Sequence, residues 1–594
     1  MPYRAPVADI LFMMNSAAGL SRGIADGLYG DLGDGLAEAT LNEAAKFAEN
    51  VLLPLNRVGD QVGASWKDGV VTTAPGWPDA HRQFVAGGWQ SLTGSADHGG
   101  MHLPQLLLAA CLDMWNGANM AFMLGPVLTF GAIDALEAHA SDAVKETYLA
   151  KMISGEWPAT MNLTEPGAGS DLNPLRTRAE RAADGSYRIT GQKIFITYGE
   201  HDMAENIVHL VLARLPDAPA GTRGISLFVV PKFLVNADGT PGARNDVRCA
   251  GIEHKLGIHA SPTCMMTYGD NGGAVGYLVG EENRGLACMF TMMNDARLAT
   301  GLQGVAIAEA AFQHALAYAS ERKQGRTADA ALSPIIAHPD VKRMLMTMKA
   351  LTQSARAVSY LTAGVIDRSR RLTDPAARKA AADRASLLTP LAKAYPADIG
   401  NEVASLGVQV HGGMGFVEET GAAQFMRDAR IIPIYEGTNG IQAIDLVTRK
   451  LPLEGGEVIR AEIAEMRAVA ADLRAVNDAA FGASAGRLTE ALDAFARATG
   501  FMLDRLKSAG DEALAGATPY LRLFGLVRGG ASLATMALDA HRAQAASGPD
   551  AVHAGRIATA RFFAENLLTA SGGLEATITG AAQSVLTADI ALAG

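Results

Sequence analysis

One carboxylate draws attention by its setting. Glu436 sits between Tyr435 and Gly437, directly after the apolar run 431–434. An apolar neighbourhood disfavours the charged form, raises a glutamate pKa and makes the group a usable base near neutral pH. The same residue fits equally well as the cap of a helix starting near Gly440. Residues 411–415 read His-Gly-Gly-Met-Gly, a glycine loop. Residues 166–170, Pro-Gly-Ala-Gly-Ser, cannot continue a helix, and their glycines let a ligand approach the backbone. Free N–H groups there, with hydroxyls from Thr164 and Ser170, suit a phosphate or a flavin edge, although a tight interdomain turn is the commoner use of such a loop. In the strand-like segment 192–199, alternation puts Ile194 and Ile196 on one face, Phe195 and Thr197 on the other. An aromatic beside a hydroxyl can stack on a ring and bond its edge; the pair also fits ordinary strand filler. Arg322 follows a long helical pattern, where a cation offsets the helix dipole or meets an anion.

These residues need elements to hold them. From about 37 to 160 the pattern is helical, with a first helix stopping near Pro54 and residues 101–124 apolar all round, as in a buried helix. Between roughly 163 and 280 come β-rich runs at 187–197, 206–215 and 225–233, with turns at Asp184-Gly185 and Asp238-Gly239. They predict a compact antiparallel β domain inserted between helical halves. Helical patterns return to about Lys450, with Gly301, Gly304 and Ala306 small enough for close packing. Residues 451–457 resemble a linker. Beyond them, an Ala-rich helical tail carries 12 Lys/Arg against 16 Asp/Glu, which suits a packing domain and not a nucleic-acid arm. The expected division is 1–160, 161–280, 281–450 and 451–594.

Composition agrees with several cores: 594 residues, 49% hydrophobic, 19% charged, net charge -11. Acidity disfavours nucleic acid as a partner. Cys111, Cys249, Cys264 and Cys288 are too few and too irregular for a disulfide framework or a zinc site, so reduced thiols and no metal are expected. The apolar patch 10–14 lacks the order of a signal peptide, and no stretch reaches the roughly 20 apolar residues of a membrane span, which makes the cytoplasm the default.

Taken together, TEPGAGSD (164–171), the KxxIT strand (193–197), KLGIHASPTC (255–264), VGEENRGL (279–286), MRDARI (426–431) and IYEGTNGIQ (434–442) resemble the acyl-CoA dehydrogenases in order and spacing, over roughly residues 40–450. The resemblance implies a mainly α fold with a β insert: an N-terminal helical domain, a middle antiparallel β domain and a C-terminal helical bundle, here with an additional C-terminal helical domain. It implies FAD held by Met161, Leu163, Thr164, Gly169 and Ser170, with Phe195 against the isoalloxazine and Thr197 near its reactive nitrogen. Arg322 would meet the pyrophosphate, a charge-assisted contact, and Gln324 would be among the cofactor contacts. Gln409 and Gly413 would reach the FAD of a neighbouring subunit, and Thr438 and Asn439 complete the cofactor set. Ser170, Asn294, Arg297, Tyr435 and Gly437 would meet the acyl-CoA, and Glu436 matches the catalytic base. Ala296 stands where a few relatives place their base, and alanine takes no proton. The pattern departs at RKQGR, around Gln324, and at Gly440, where many relatives carry a glutamine. Length and the added domain resemble a branch of the family that oxidises 3-methylmercaptopropionyl-CoA to 3-methylthioacryloyl-CoA in dimethylsulfoniopropionate catabolism. That substrate is expected, with a short- or medium-chain acyl-CoA, an acyl-CoA oxidase and a DNA-associated flavoprotein of the same fold as alternatives. An electron-transfer flavoprotein as acceptor follows from family habit, and a homodimer is expected because the added domain would occupy the face that shorter relatives use for tetramers.

Overall fold

The change from helical to strand patterning near residue 159 marks the start of the sheet. The computed structural model describes residues 3–33, 35–327 and 332–593. They fall into two units, one of Met1–Glu43, Gln105–Gly117 and Thr300–Gly594, the other of Ala44–Pro104 and Ala118–Ala299.

The main sheet of the second unit has eight strands: β1 (Ala159–Asn162), β2 (Arg178–Arg181), β3 (Tyr187–Thr197), β4 (Val208–Arg214), β5 (Ile225–Pro231), β6 (Val247–Ile252), β7 (Thr263–Tyr268) and β8 (Ala274–Val279). They pair in the order β6-β7-β3-β8-β5-β4-β1, and β2 bridges β3 and β4. The path β3-β8-β5-β4-β2 therefore returns to β3 and closes a small barrel, which leaves those strands no open edge. The domain is mainly antiparallel, as expected, with two parallel pairings: β1 runs parallel to β4, from Ala159↔Val208 to Asn162↔Val211, and β2 touches β4 in parallel. The chain reaches β4 from β1 only after the β2–β3 excursion, a connection long enough for a parallel crossover. β4 and β5 are buried on both faces. Leu210, Leu212, Leu227 and Val229 pack with Leu136, Met289 and Met292, whereas Val211, Phe228 and Val230 pack with Ile189 and Met266. Burial from both sides is why these runs read as nearly continuous apolar sequence.

The first long helix, α1 (Gln105–His139), leaves helical geometry at Asn119 and contains Pro126. It and α6 (Ala517–Ser547) are long and apolar enough to cross a membrane, contrary to the expectation that no stretch is. Their most apolar windows are 94% and 89% buried inside the protein, as core helices are. The helix from Leu36 also does not stop at Pro54: a π turn at Ala48–Leu52 re-phases it, and Pro54 falls in the first turn of Leu53–Val62, where its missing N–H costs nothing.

In the first unit, α2 (Gly285–Glu321) continues beside α3 (Pro339–Arg371) and α4 (Pro375–His411). A Cβ at Gly301 would collide with the Ala392 carbonyl and one at Gly304 with that of Pro396, so glycine sets the α2–α4 approach. Arg356 ties three helices together through Asp113 at 2.6 Å and Glu309 at 2.9 Å. The expected linker is a tight turn with Leu451 fully buried and Glu454 paired to Lys379 at 2.6 Å. The rest of the chain is helical, including Glu457–Val476, Ser484–Ser508, α6 and Ala551–Asn566.

Candidate active site

In the β-bearing unit the loop after β1 is fastened to β3 by a buried ion pair. Lys193 Nζ lies 2.8 Å from Glu165 and donates to the Leu163 carbonyl at 3.0 Å. Glu165 also accepts the backbone N–H groups of Arg176 (2.7 Å) and Thr177 (3.0 Å) and the Thr177 hydroxyl (2.6 Å). Burial pulls Lys193 down to about 8 against the pull of Glu165. Burial alone would raise Glu165, but the Lys193 charge and four hydrogen bonds hold it below the usual carboxylate range. The Ile194 N–H donates to the Thr164 carbonyl at 2.9 Å. Half-buried Met161 at the end of β1, half-buried Leu163 and Thr164 and exposed Gly169 and Ser170 in the loop after it are thus docked beside Phe195 and Thr197.

Strict alternation along β3 fails at Phe195, whose φ of 59° is left-handed. Lys193 and Ile196 turn inward, Phe195 is left 58% exposed, and the opposing strand shifts register between Cys264 and Met266. A bulge of this kind re-aims a side chain at a site. Gly167, Gly169 and Gly413 have φ outside the left-handed region, and a Cβ on any of them would meet no protein atom within 4 Å. The chain's own packing does not require glycine there, while a group lying against the backbone does. The residues therefore fit a bound cofactor. On α2, Arg297 is buried and donates to Asn294 at 3.3 Å, so the two side chains expected at the substrate engage each other.

In the helical unit, Glu436 lies on the irregular stretch between Ala429 and α5 (Asn439–Asp445). Side chains of α4, which contains Pro390 and Pro396, hold that stretch. Asn401 donates to the Ala429 carbonyl at 2.9 Å, and buried Lys393 donates to the Ile432 carbonyl at 3.0 Å and to Asn439 Oδ1 at 2.9 Å. The Asn439 amide donates to the Ala394 carbonyl (3.1 Å) and to Asp398 (2.7 Å). The Asn439 side chain thereby braces the stretch against α4. Thr438, not Glu436, caps α5, its hydroxyl accepting the Ile441 N–H at 3.2 Å. Tyr435 donates its hydroxyl to Gln303 on α2. Burial, then the Glu436 charge, raises the Tyr435 pKa. Glu436 is half-buried with φ 56°, followed by Gly437 at 78°, and Gln442 donates to both their carbonyls at 3.2 and 3.4 Å. A left-handed glutamate costs on the order of 1–3 kcal/mol and persists because the surroundings over-determine it.

Arg322, Gln324, Gln409 and Gly413 are exposed. His411 stacks on Tyr318 and His314, with ring centroids 4.4 and 4.7 Å apart, which brings the glycine loop to the Arg322 end of α2. Tyr435 is pinned at Gln303, and at 1.5 Å rise per residue Arg322 lies about 28 Å further along the helix. The structure unites Arg322, Gln409 and Gly413 and keeps them away from Glu436. Motif reading missed Lys393 and Asp398. Their signal was charge inside the otherwise apolar 387–400, since such residues are buried only when paired.

The sequence matches "Acyl-CoA dehydrogenase, middle domain" over 160–270, "Acyl-CoA dehydrogenase, C-terminal domain" over 283–451 and "Acetyl-CoA dehydrogenase C-terminal like" over 462–589. It is 48% identical over 593 residues to the 3-methylmercaptopropionyl-CoA dehydrogenase of Ruegeria pomeroyi, covering 99% of this chain and 100% of the relative. It is 36% identical to a butyryl-CoA dehydrogenase of Syntrophomonas wolfei over 547 residues, 89% of each. The fold superposes with a TM-score of 0.74 at 20% identity on an acyl-CoA dehydrogenase complexed with FAD from Bacillus anthracis, covering 93% of this chain and 91% of that one.

Proposed function

Because this chain belongs to the acyl-CoA dehydrogenase family, we propose that it oxidises 3-methylmercaptopropionyl-CoA to 3-methylthioacryloyl-CoA, with FAD as cofactor and Glu436 as base. The observation that carries the substrate is 48% identity along the whole of both chains, added domain included, to an enzyme named for that thioester.

The α-hydrogen of a thioester is a weak acid, so its removal needs a base within reach and donors for the enolate oxygen. The Glu436 carboxylate takes the proton, and its left-handed backbone, held from Gln442 and α4, fixes where that carboxylate stands. The Glu436 N–H is one donor to the thioester oxygen. FAD, when bound, supplies the acceptor for the hydride leaving the β-carbon. The exposed Phe195 ring offers it a stacking face, Thr197 a hydroxyl, and the 166–170 loop open backbone. The separation of Arg322, Gln409 and Gly413 from Glu436 supports a homo-oligomer in which those three serve the FAD of a second copy. An electron-transfer flavoprotein is the proposed acceptor.

The test is anaerobic mixing of purified holoprotein with a panel of thioesters while flavin absorbance is followed. Bleaching should be faster with 3-methylmercaptopropionyl-CoA than with straight C4 to C8 chains. Preference for butyryl-CoA would favour the reading suggested by the Syntrophomonas relative. Rapid peroxide formation in air would make the protein an oxidase.

A further inference from the structure

The segment that follows β3 is tied down at nearly every residue. Tyr198 is buried with φ 51°, and its hydroxyl accepts the Trp77 indole N–H at 3.0 Å and donates to the Ala121 carbonyl at 2.8 Å. Glu200 accepts the His201 N–H at 3.0 Å and pairs with Lys232 and, at 3.2 Å, with Arg244. Asp202 accepts the Thr73 N–H at 3.2 Å and the Thr73 hydroxyl at 2.6 Å. The exception is the His201 ring. It is 2% exposed, and its Nε2 has no hydrogen-bond partner among the described residues.

The other ring nitrogen decides what Nε2 carries. His201 Nδ1 accepts the Met203 backbone N–H at 3.2 Å, and a nitrogen that accepts has no proton of its own. Burial first, then His81, Lys232 and His209, holds the His201 pKa well below its ordinary value, so the ring is neutral. A neutral imidazole with a bare Nδ1 has its proton on Nε2. His201 therefore presents a buried donor. Gln90, in the one-turn helix Trp89–Ser91, is also 2% exposed, and its amide Nε2 likewise has no partner among the described residues. Folded proteins rarely strand such groups, because each then forfeits its hydration with nothing in return.

Both groups line one cavity, together with Gly125, Thr129, Gly155 and Tyr198. The Thr129 hydroxyl is engaged by the Ala159 N–H at 2.9 Å, and the Tyr198 hydroxyl by Trp77 and Ala121. Gly125 and Gly155 have only backbone to contribute to the wall. The space holds about one water-sized molecule. Apolar cavities stay dry, whereas two donors and exposed backbone give a water the two to four partners it needs. We propose that this cavity is a binding site for a single water molecule, which accepts from His201 Nε2 and from the Gln90 amide and so ties the segment after β3 to the one-turn helix at Trp89–Ser91. The site does not depend on the cofactor reading of Thr197, the residue before Tyr198.

The experiment is a crystal structure of the flavin-loaded full chain at a resolution that shows ordered solvent. One solvent peak should lie within about 3.2 Å of both His201 Nε2 and Gln90 Nε2. A dry cavity, or a peak that reaches only one of the two nitrogens, would overturn the proposal. Two N–H donors also suit a small anion, so the same crystals are soaked in bromide and measured at the bromine absorption edge. No anomalous signal should appear in the cavity; a bromine peak there would make it an ion site and refute the water. In solution, Gln90→Leu removes one partner and strands the His201 N–H. Hydrogen–deuterium exchange of peptides covering 198–203 should then quicken about 5- to 100-fold. Wild-type exchange in that variant would refute the tie between the two segments. If Gln90→Leu does not fold, the density in the wild-type crystal decides alone.

Discussion

Replacing Lys193 by methionine tests whether the cofactor loop depends on a buried charge pair. The lysine is fully buried, and its ammonium serves both Glu165 and the Leu163 carbonyl. Methionine fills similar volume, so the main change is electrostatic: Glu165 stays buried as an anion with only the Arg176 and Thr177 donors. Removing one partner of such a pair costs about 3–5 kcal/mol, most of it the stranded charge. The unit concerned has roughly 240 residues, for which each kcal/mol shifts Tm by about 2–4 °C, giving a fall of about 6–20 °C. Glu165→Gln in the same chain removes the stranded charge while keeping acceptors for Thr177, so the double variant should recover about half the loss or more. Thermal unfolding followed by circular dichroism and by release of flavin fluorescence reads both effects. A loss below about 1 kcal/mol in the single variant, or no recovery in the double, would refute the reasoning.

Acid should destabilise the protein through its buried histidines. Burial lowers His81 to about 4 and His209 to about 3, and holds His201 well below its ordinary value. In the unfolded chain all three take up protons near pH 6.5, so their contribution is intact above that pH and is lost as pH falls towards 4 and 3. Three extra protons in the unfolded state mean about 4 kcal/mol per pH unit near pH 5, and His81→Leu should flatten that slope by about a third, as checked by denaturant unfolding between pH 7 and 5. Subunit sharing predicts complementation. Glu436→Gln and Arg322→Gln chains, each weakly active alone, should regain about a quarter of wild-type activity when unfolded together and reassembled as dimers, because half the dimers then carry one intact site. No gain on mixing would place Arg322 with its own chain's cofactor.

Sequence reading succeeded where conformation is set by local chemistry. The glycine loop at 166–170, the strand Tyr187–Thr197 and the apolar approach to Glu436 are contiguous, and each constrains its own backbone. It failed where the cause lay elsewhere in the chain. The parallel pairing of β1 with β4 depends on a crossover, not on the composition of either strand. Pro54 reads as a stop unless the π turn before it is known. Phe195 leaves its expected face because Lys193 must turn inward to meet Glu165, a partner 28 residues away. The Asn439 side chain braces its loop through Ala394 and Asp398, 45 and 41 positions away on α4, which no motif displays. Residues 101–124 read correctly as a buried helix, but the full lengths of α1 and α6 did not stand out, because charge and small residues interrupt them.

The account turns on Glu436, and the most direct measurement is single-turnover flavin bleaching by Glu436→Gln. Glutamine preserves size and the hydrogen bonds of the loop but cannot take a proton. The variant should retain its yellow flavin spectrum, bind 3-methylmercaptopropionyl-CoA, and bleach about 10²–10⁴-fold more slowly than wild type. Bleaching near the wild-type rate would contradict the assignment and require another base.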